Sequence, residues 1–321
     1  MASLREGAGW LSHPEILTVR VHGPDRLRFL NGMLSTDVEK LTPGQVQSSI
    51  KASNKGRIEG LVRVRMREDD VLLDLEEVSA GRVAGELVKF VVMDDVQLQD
   101  ASAEREVTGI YGPEAPRVLG RAGLPVPGES LSFETGDDGV VVVRDDRYGV
   151  PGFEVHASPG AAMGPRLEAA GATEATREAL EVLRVEAGRV RDGIDVDVDT
   201  IPLEARLDEA VDLNKGCFIG QEVIARATHR GGVRYHLIGL LFDDELPPSG
   251  AELWAEEGQR ACGEITSVVR SPTLGRGIGL GYARTEQEAP GTRLEARWDG
   301  GAIAAEVAAL PFLPPHPGDG A

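Results

Sequence analysis

The segment NKGCFIGQEV, residues 214–223, sets Cys217 between a Lys-Gly pair and a Gly-Gln-Glu triplet. Chemistry at a cysteine belongs to the thiolate, so what matters is whether the surroundings favour that form. Three features do. Lys215 lies two residues before it and Arg226 lies downstream, and cations lower a thiol's pKa. Gly216 and Gly220 let backbone approach a ligand closely. The stretch after the cysteine reads as a helix, whose N-terminus favours an anion. Against these stands the ordinary use of a lone cysteine as a small buried hydrophobe. A catalytic Cys–His pair would need His22, His156, His229 or His236 nearby, and spacing does not decide that.

Glu186, in LRVEAGR, is the second candidate. A carboxylate accepts two hydrogen bonds from an amidine-like edge, such as a guanidine or a pterin ring. The plainer reading is a solvated glutamate at a helix end. Asp192, Asp195, Asp197 and Asp199 lack the glycine and glutamate of a calcium loop, so a solvated acidic loop is expected. The histidines form no His-x-x-x-His pair and no Gly-Lys-Ser/Thr phosphate loop occurs. No metal site is expected.

The totals narrow the classes. At 321 residues, with 41% hydrophobic and 27% charged residues, the chain has a globular composition and room for two or three domains. A net charge of -19 disfavours broad binding to nucleic-acid phosphates but leaves room for a small cationic pocket. Two cysteines, Cys217 and Cys262, make no disulfide framework and hold no four-cysteine cluster within one chain. The N-terminal MASLREGAGWLSHPE lacks the apolar run of a signal peptide, and no stretch approaches the ~18 apolar residues of a membrane span. A cytoplasmic protein without membrane or direct nucleic-acid partners is expected.

These candidates need elements to hold them. ILTVRVHG alternates as a strand, and GPDRLRFLNGML continues as a helix. Residues 45–77 read as strands joined by turns, with Asn54-Lys55-Gly56 a tight one. SAGRVAGELVKFVV has helical spacing, with Ser79 as N-cap. The order then restarts. Gly112-Pro113 echoes Gly23-Pro24, VVVVRDDRYGVPGFEVHA gives two strands around a glycine-rich turn, and a helix opens on Ser158. This pseudo-repeat, 1–105 and 106–232, predicts two related α+β units facing each other. Their hairpin turns, near Lys55-Gly56 and Tyr148-Gly149, would line one cavity. TEATREALEVLRVEAG is the clearest helix, ending at Gly188. Beyond the Gly231-Gly232 turn, six short apolar segments between Gly/Pro turns predict a small β-barrel over 233–321. The fold class is α+β.

KGCFIGQE, residues 215–222, resembles the Lys-Gly-Cys-Tyr/Phe-x-Gly-Gln-Glu signature of the YgfZ-type folate-binding proteins, relatives of the glycine-cleavage T-protein and of iron–sulfur assembly factors. VRVHGPDRLRFLNGMLSTDV, RVEAGRVRDGID, GEITSVVRSPTLGRGIGLGYA and the final LPF resemble the same family in order along the chain. The resemblance implies three lobes around a central cavity that holds tetrahydrofolate, and it gives Glu186 the pterin edge to grip. Lys55, Arg147, Tyr148, Lys215 and Arg226 join it as expected folate-binding residues, with Lys55, Arg147 and Arg226 holding the glutamate tail. The aminomethyltransferase relatives carry an acidic pair that here falls on Glu59-Gly60, so the second carboxylate is missing. Three readings follow. The first is a tetrahydrofolate-binding accessory factor for iron–sulfur cluster assembly or repair in client enzymes, tRNA-modifying ones included, with Cys217 as its reactive thiol. The second is a folate-dependent aminomethyl or methyl transferase, or a demethylase. The third is a folate-binding scaffold in which Cys217 only packs.

Overall fold

The computed structural model describes residues 1–229, 232–243, 245–255 and 260–314; Gly231, half of the expected boundary turn, lies outside them, as does the side chain of His229. The chain opens with a short helix, α1 (Ala2–Glu6), and a strand, β1 (Gly9–Ser12). Neither belongs to the unit that follows in sequence. β2 (Ile16–His22), α2 (Arg26–Met33), β3 (Val46–Ala52), β4 (Ile58–Met66), β5 (Asp70–Glu76), α3 (Glu77–Lys89) and β6 (Gln97–Asp100) build the first unit. Its sheet runs β3-β4-β5-β2-β6. Alternation decides its inner face: Val62 and Val64 of β4 turn toward Val83 and Leu87 of α3, and all four are buried in one apolar cluster. Ser79 is not the N-cap. It is buried one turn inside α3, where its hydroxyl donates to the Glu76 carbonyl at 3.3 Å.

β7 (Glu106–Tyr111), α4 (Ala115–Arg121), β8 (Ser132–Thr135), β9 (Val141–Arg144), β10 (Gly152–Ala157), α5 (Met163–Ala169) and β11 (Thr173–Glu174) form the second unit. Ser158 is not a cap either, since α5 starts at Met163. The second sheet runs β11-β1-β7-β10-β9-β8, so the N-terminal strand is inserted between β11 and β7. The sequence break at residue 105 is therefore not the structural break: residues 9–12 pair antiparallel with Tyr111–Thr108 and belong to the second sheet.

α6 (Arg177–Glu186) is capped by Thr176, whose hydroxyl accepts from the Ala179 N–H at 3.2 Å, and Gly188 at φ 65 follows its end. A long connection, residues 187–220, then ties the lobes together before α7 (Gln221–His229). Two carboxylates of the supposed solvated loop are buried. Asp195 accepts from Arg184 of α6 at 2.6 Å and from the hydroxyls of Thr266 and Ser267 at 2.5 and 2.7 Å. Asp192 accepts from the Leu61 N–H at 3.1 Å. These two are structural anchors; Asp197 and Asp199 stay in solvent.

The last lobe is a closed barrel of β12 (Tyr235–Phe242), β13 (Glu252–Ala255), β14 (Ala261–Ser271), β15 (Arg276–Arg284), β16 (Arg293–Trp298) and β17 (Gly301–Ala308). Closure removes the unpaired edges that so short a set of strands would otherwise expose. No helix among the described residues is long and apolar enough to cross a membrane.

Candidate functional site

A cavity of about 1500 Å³ lies between the two sheets and is bordered by α6, the long connection and the chain after the barrel, at Leu310 and Pro311. Its first wall comes from β3 to β5, its second from β7 and the β9–β10 turn. The strands place unusual residues in and behind these walls. In β4, Arg63 and Arg65 alternate with Val62 and Val64, so the arginines face away from the α3 core. In β10, Glu154 and His156 alternate with the buried Phe153 and Val155 in the same way.

The two polar faces meet. Glu154 Oε1 accepts from Arg63 at 2.7 Å and from Arg147 at 2.6 Å, and its other oxygen is also held by Arg63. Asp145 stands 3.3 Å from Arg63 and 3.1 Å from Arg147. Asp74 of β5 takes both prongs of Arg65, at 2.5 and 2.8 Å, and the Thr18 hydroxyl at 2.8 Å. Burial alone would raise the Glu154 carboxyl; the charge of Arg63, with His156 and Arg147, instead holds it well below the usual range. Glu154 therefore stays ionised and joins the two sheets. Burial, with Arg65 beside it, pushes the His156 imidazole down, so that ring is neutral.

Further along the same wall, His13 bridges Glu15 and Tyr111. Its Nδ1 is 2.8 Å from Glu15 Oε1 and its Nε2 is 2.9 Å from the Tyr111 hydroxyl. Arg177 of α6 sits 3.0 Å from Glu15 Oε1. The other oxygen, Glu15 Oε2, is buried and has no hydrogen-bond partner among the described residues, as is the case for Gln47 Oε1. Tyr111 and Tyr148 pack with ring centroids 5.6 Å apart, and the Arg147 guanidinium lies 5.3 Å from the centre of Tyr148. Burial raises both phenols. Glu76, at the end of β5, is also raised by desolvation, its contact with Arg191 being 3.3 Å.

The residues expected from sequence divide into two places. Arg147 and Tyr148 line the cavity. Glu186 does not line it: its carboxylate is fully buried beside α1 and the barrel, paired with Arg5 and accepting from the Ser271 hydroxyl at 2.5 Å. The Asn54–Gly56 turn does not line it either. Gly56, at φ 70, packs on Val223 and Ile224, and a Cβ at Gly220 would stand 2.4 Å from the Ser53 carbonyl. That hairpin, Cys217 and α7 thus make a separate surface, on which Lys55, Cys217 and Arg226 are exposed. Lys215 is buried there, its ammonium donating to the carbonyls of Asn31, Leu34 and Thr36 at 2.7, 2.6 and 2.6 Å. It anchors the Cys217 loop to the end of α2. Burial pulls its pKa down to about 8.

Gly60 has its own reason. A Cβ at this position would stand 2.5 Å from Val83 Cγ2 and 3.0 Å from Ser79 Oγ, so position 60 faces the underside of α3. Glu59 pairs with Lys51 at 2.7 Å. Sequence reasoning missed Arg63, Asp74, Glu154, His13, Glu15 and Tyr111. The signal for the first three was present: VRVRM, LLDLE and FEVHA put charges on the inward face of strands whose other face is also buried.

Two sheet-and-helix units with a cavity between their sheets, and a closed barrel, define a three-lobed α+β protein. Comparison with known proteins sharpens that class. The GCVT N-terminal domain matches residues 1–215, and the glycine cleavage T-protein C-terminal barrel domain matches residues 236–313. The chain belongs to the glycine-cleavage T-protein family. It is 32% identical to an aminomethyltransferase of Rubrobacter xylanophilus, over 89% of this chain and 78% of that one. It is 28% identical to an aminomethyltransferase of Saccharopolyspora erythraea, over 97% and 88%. The crystal structure of the glycine cleavage system aminomethyltransferase T from Bartonella henselae superposes with a TM-score of 0.90 at 25% identity, covering 97% of this chain and 88% of that one.

Proposed function

We propose that the protein binds a reduced folate in the cavity between its two sheets and carries out tetrahydrofolate-dependent one-carbon transfer from an amine, in the cytoplasm. The observation that carries this reading is the cavity wall itself. Tyr111 and Tyr148 offer aromatic surface to a flat ring. Glu15 Oε2 and Gln47 Oε1, buried and without partners among the described residues, offer acceptors to a ring's N–H edge. Arg189 and Arg206, paired with Glu209 and Glu288 at 2.5 and 3.0 Å, would turn to the carboxylates of a folate tail. The pterin-gripping role that the resemblance lends to Glu186 does not suit its pairing with Arg5, and Glu154 is saturated by Arg63 and Arg147. Glu15, whose Oε2 is buried and has no partner among the described residues, is a carboxylate with spare capacity.

Bound tetrahydrofolate would supply the nitrogen that takes up the one-carbon unit. The chain's own residues would orient it, exclude water and move the proton that the transfer releases. The names of the relatives favour transfer over an accessory role. The test is turnover of aminomethyl donors in the presence of tetrahydrofolate, read as 5,10-methylenetetrahydrofolate. Formation of that product supports the reading; no product with any such donor, despite folate binding, removes it.

A second reading keeps the folate and assigns the protein to iron–sulfur cluster assembly or repair as a YgfZ-type factor. Exposed Cys217 favours it, and so does the missing carboxylate at Gly60. Client-enzyme activity recovered with wild type but not with Cys217→Ala would favour it over transfer.

A further inference from the structure

We infer that Glu15, His13 and Tyr111 form a proton relay that opens on the cavity and removes the proton from a cationic ligand nitrogen, replacing the carboxylate absent at position 60. The inference rests on the folate-transfer reading above and names the group that does its proton work.

The argument starts from the fixed ends. Glu15 is a carboxylate and only accepts, so the proton between it and His13 sits on Nδ1. In the neutral ring Nε2 is then an acceptor, and the 2.9 Å contact requires the Tyr111 O–H to donate to it. With its own proton aimed at His13, the Tyr111 oxygen has a lone pair left for the cavity. All three residues line that cavity. The packing leaves no slack. A Cβ at Gly109 of β7 would stand 2.5 Å from His13 Nε2 and 2.7 Å from the Tyr111 hydroxyl oxygen, so only glycine fits under this hydrogen bond.

The step balances within the chain. A nitrogen that has just bonded to the one-carbon unit carries a positive charge and an N–H. That N–H bond breaks as the Tyr111 oxygen takes the proton, and the nitrogen keeps the electron pair. The Tyr111 O–H bond breaks as His13 Nε2 takes its proton. His13 ends as an imidazolium whose Nδ1–H still donates to Glu15, and the proton leaves later to solvent. The charges around the relay are mixed: Arg177 of α6 faces Glu15, while Arg63 of β4, Glu154 of β10 and Arg147 and Tyr148 of the β9–β10 turn face Tyr111. Neither β4 nor Gly60 supplies a free carboxylate in their midst.

The test has two readouts on the full chain. Nitrogen-15 spectra of histidine-labelled protein should show His13 protonated on Nδ1, with its Nε2 resonance shifted in Tyr111→Phe. A His13 ring protonated on Nε2 while neutral would overturn the relay. In turnover with tetrahydrofolate, Tyr111→Phe, His13→Gln and Gly109→Ala should each lose about 100-fold in kcat. Tetrahydrofolate affinity should stay within about threefold in Tyr111→Phe. Gly109→Ala leaves every titratable group in place, so its loss reports the geometry. Wild-type turnover that Tyr111→Phe leaves unchanged overturns the relay alone. Wild type that binds no reduced folate overturns the functional reading and the relay with it.

Discussion

Restoring the missing carboxylate should damage this protein rather than improve it. In Gly60→Asp the new Cβ would enter 2.5 Å from Val83 Cγ2, beneath a helix whose contact residues Ser79 and Val83 are both fully buried. Overpacking of a tight core costs ~1–3 kcal/mol. The carboxylate would also lose its water among apolar neighbours, which adds a further ~2 kcal/mol or more. The expected loss is ~3–5 kcal/mol, a large part of the ~5–15 kcal/mol that stabilises a typical domain. Gly60→Ala separates the two effects. It keeps the clash, omits the charge and regains ~0.5–1 kcal/mol from the glycine's lost freedom, for a net loss of ~1–2 kcal/mol. Urea denaturation followed by far-ultraviolet dichroism measures both. If Gly60→Asp is within ~0.5 kcal/mol of wild type, the site has room for a carboxylate. Position 60 would then face the cavity, and the case for a replacement proton acceptor would fail.

Three further outcomes are expected. Asp195→Ala leaves buried Arg184 with Glu181 alone as its carboxylate partner, removes the acceptor of Thr266 and Ser267, and should cost ~2–3 kcal/mol, with barrel unfolding separating from that of the sheets in calorimetry. Burial raises the Glu15 carboxyl, but hydrogen bonds from His13 and Arg177 outweigh it and bring it down to about 2 from the ordinary 4.5. Its stabilisation is therefore present above pH 4.5 and lost as pH falls through about 2; the interval is worth at most ~3.4 kcal/mol and ~1–2 kcal/mol after screening, so Glu15→Gln should flatten the acid limb of stability against pH. Native protein should react with a thiol reagent at one equivalent, exposed Cys217, and take up the second at buried Cys262 only on unfolding; two slow equivalents would return Cys217 to a packing role.

The elements were largely legible because periodicity is a local signal. All six barrel segments became strands, and the helix read over 173–188 formed at Arg177–Glu186. The exchange of β1 into the second sheet was not legible, because strand partners are chosen by packing between distant segments. The site was legible in part. Tyr148 and Arg147, in the second hairpin turn, line the cavity. Lys55 does not, since the equivalent turn is held by Val223 of α7, a contact that no repeat in the sequence encodes. Glu186 was drawn toward the cavity by its motif and is taken by Arg5, 181 residues away. His13, Glu15 and Tyr111 carry no motif at all; only the fold brings residue 13 to residue 111.

The central claim is that a reduced folate lies against Tyr148 in the cavity and not at the Cys217 surface. Calorimetric titration with tetrahydrofolate tests it directly. The account predicts one site per wild-type chain, an affinity lower by about tenfold in Tyr148→Ala, and unchanged binding in Cys217→Ala. No binding of tetrahydrofolate by wild type, or binding lost in Cys217→Ala and kept in Tyr148→Ala, would contradict it.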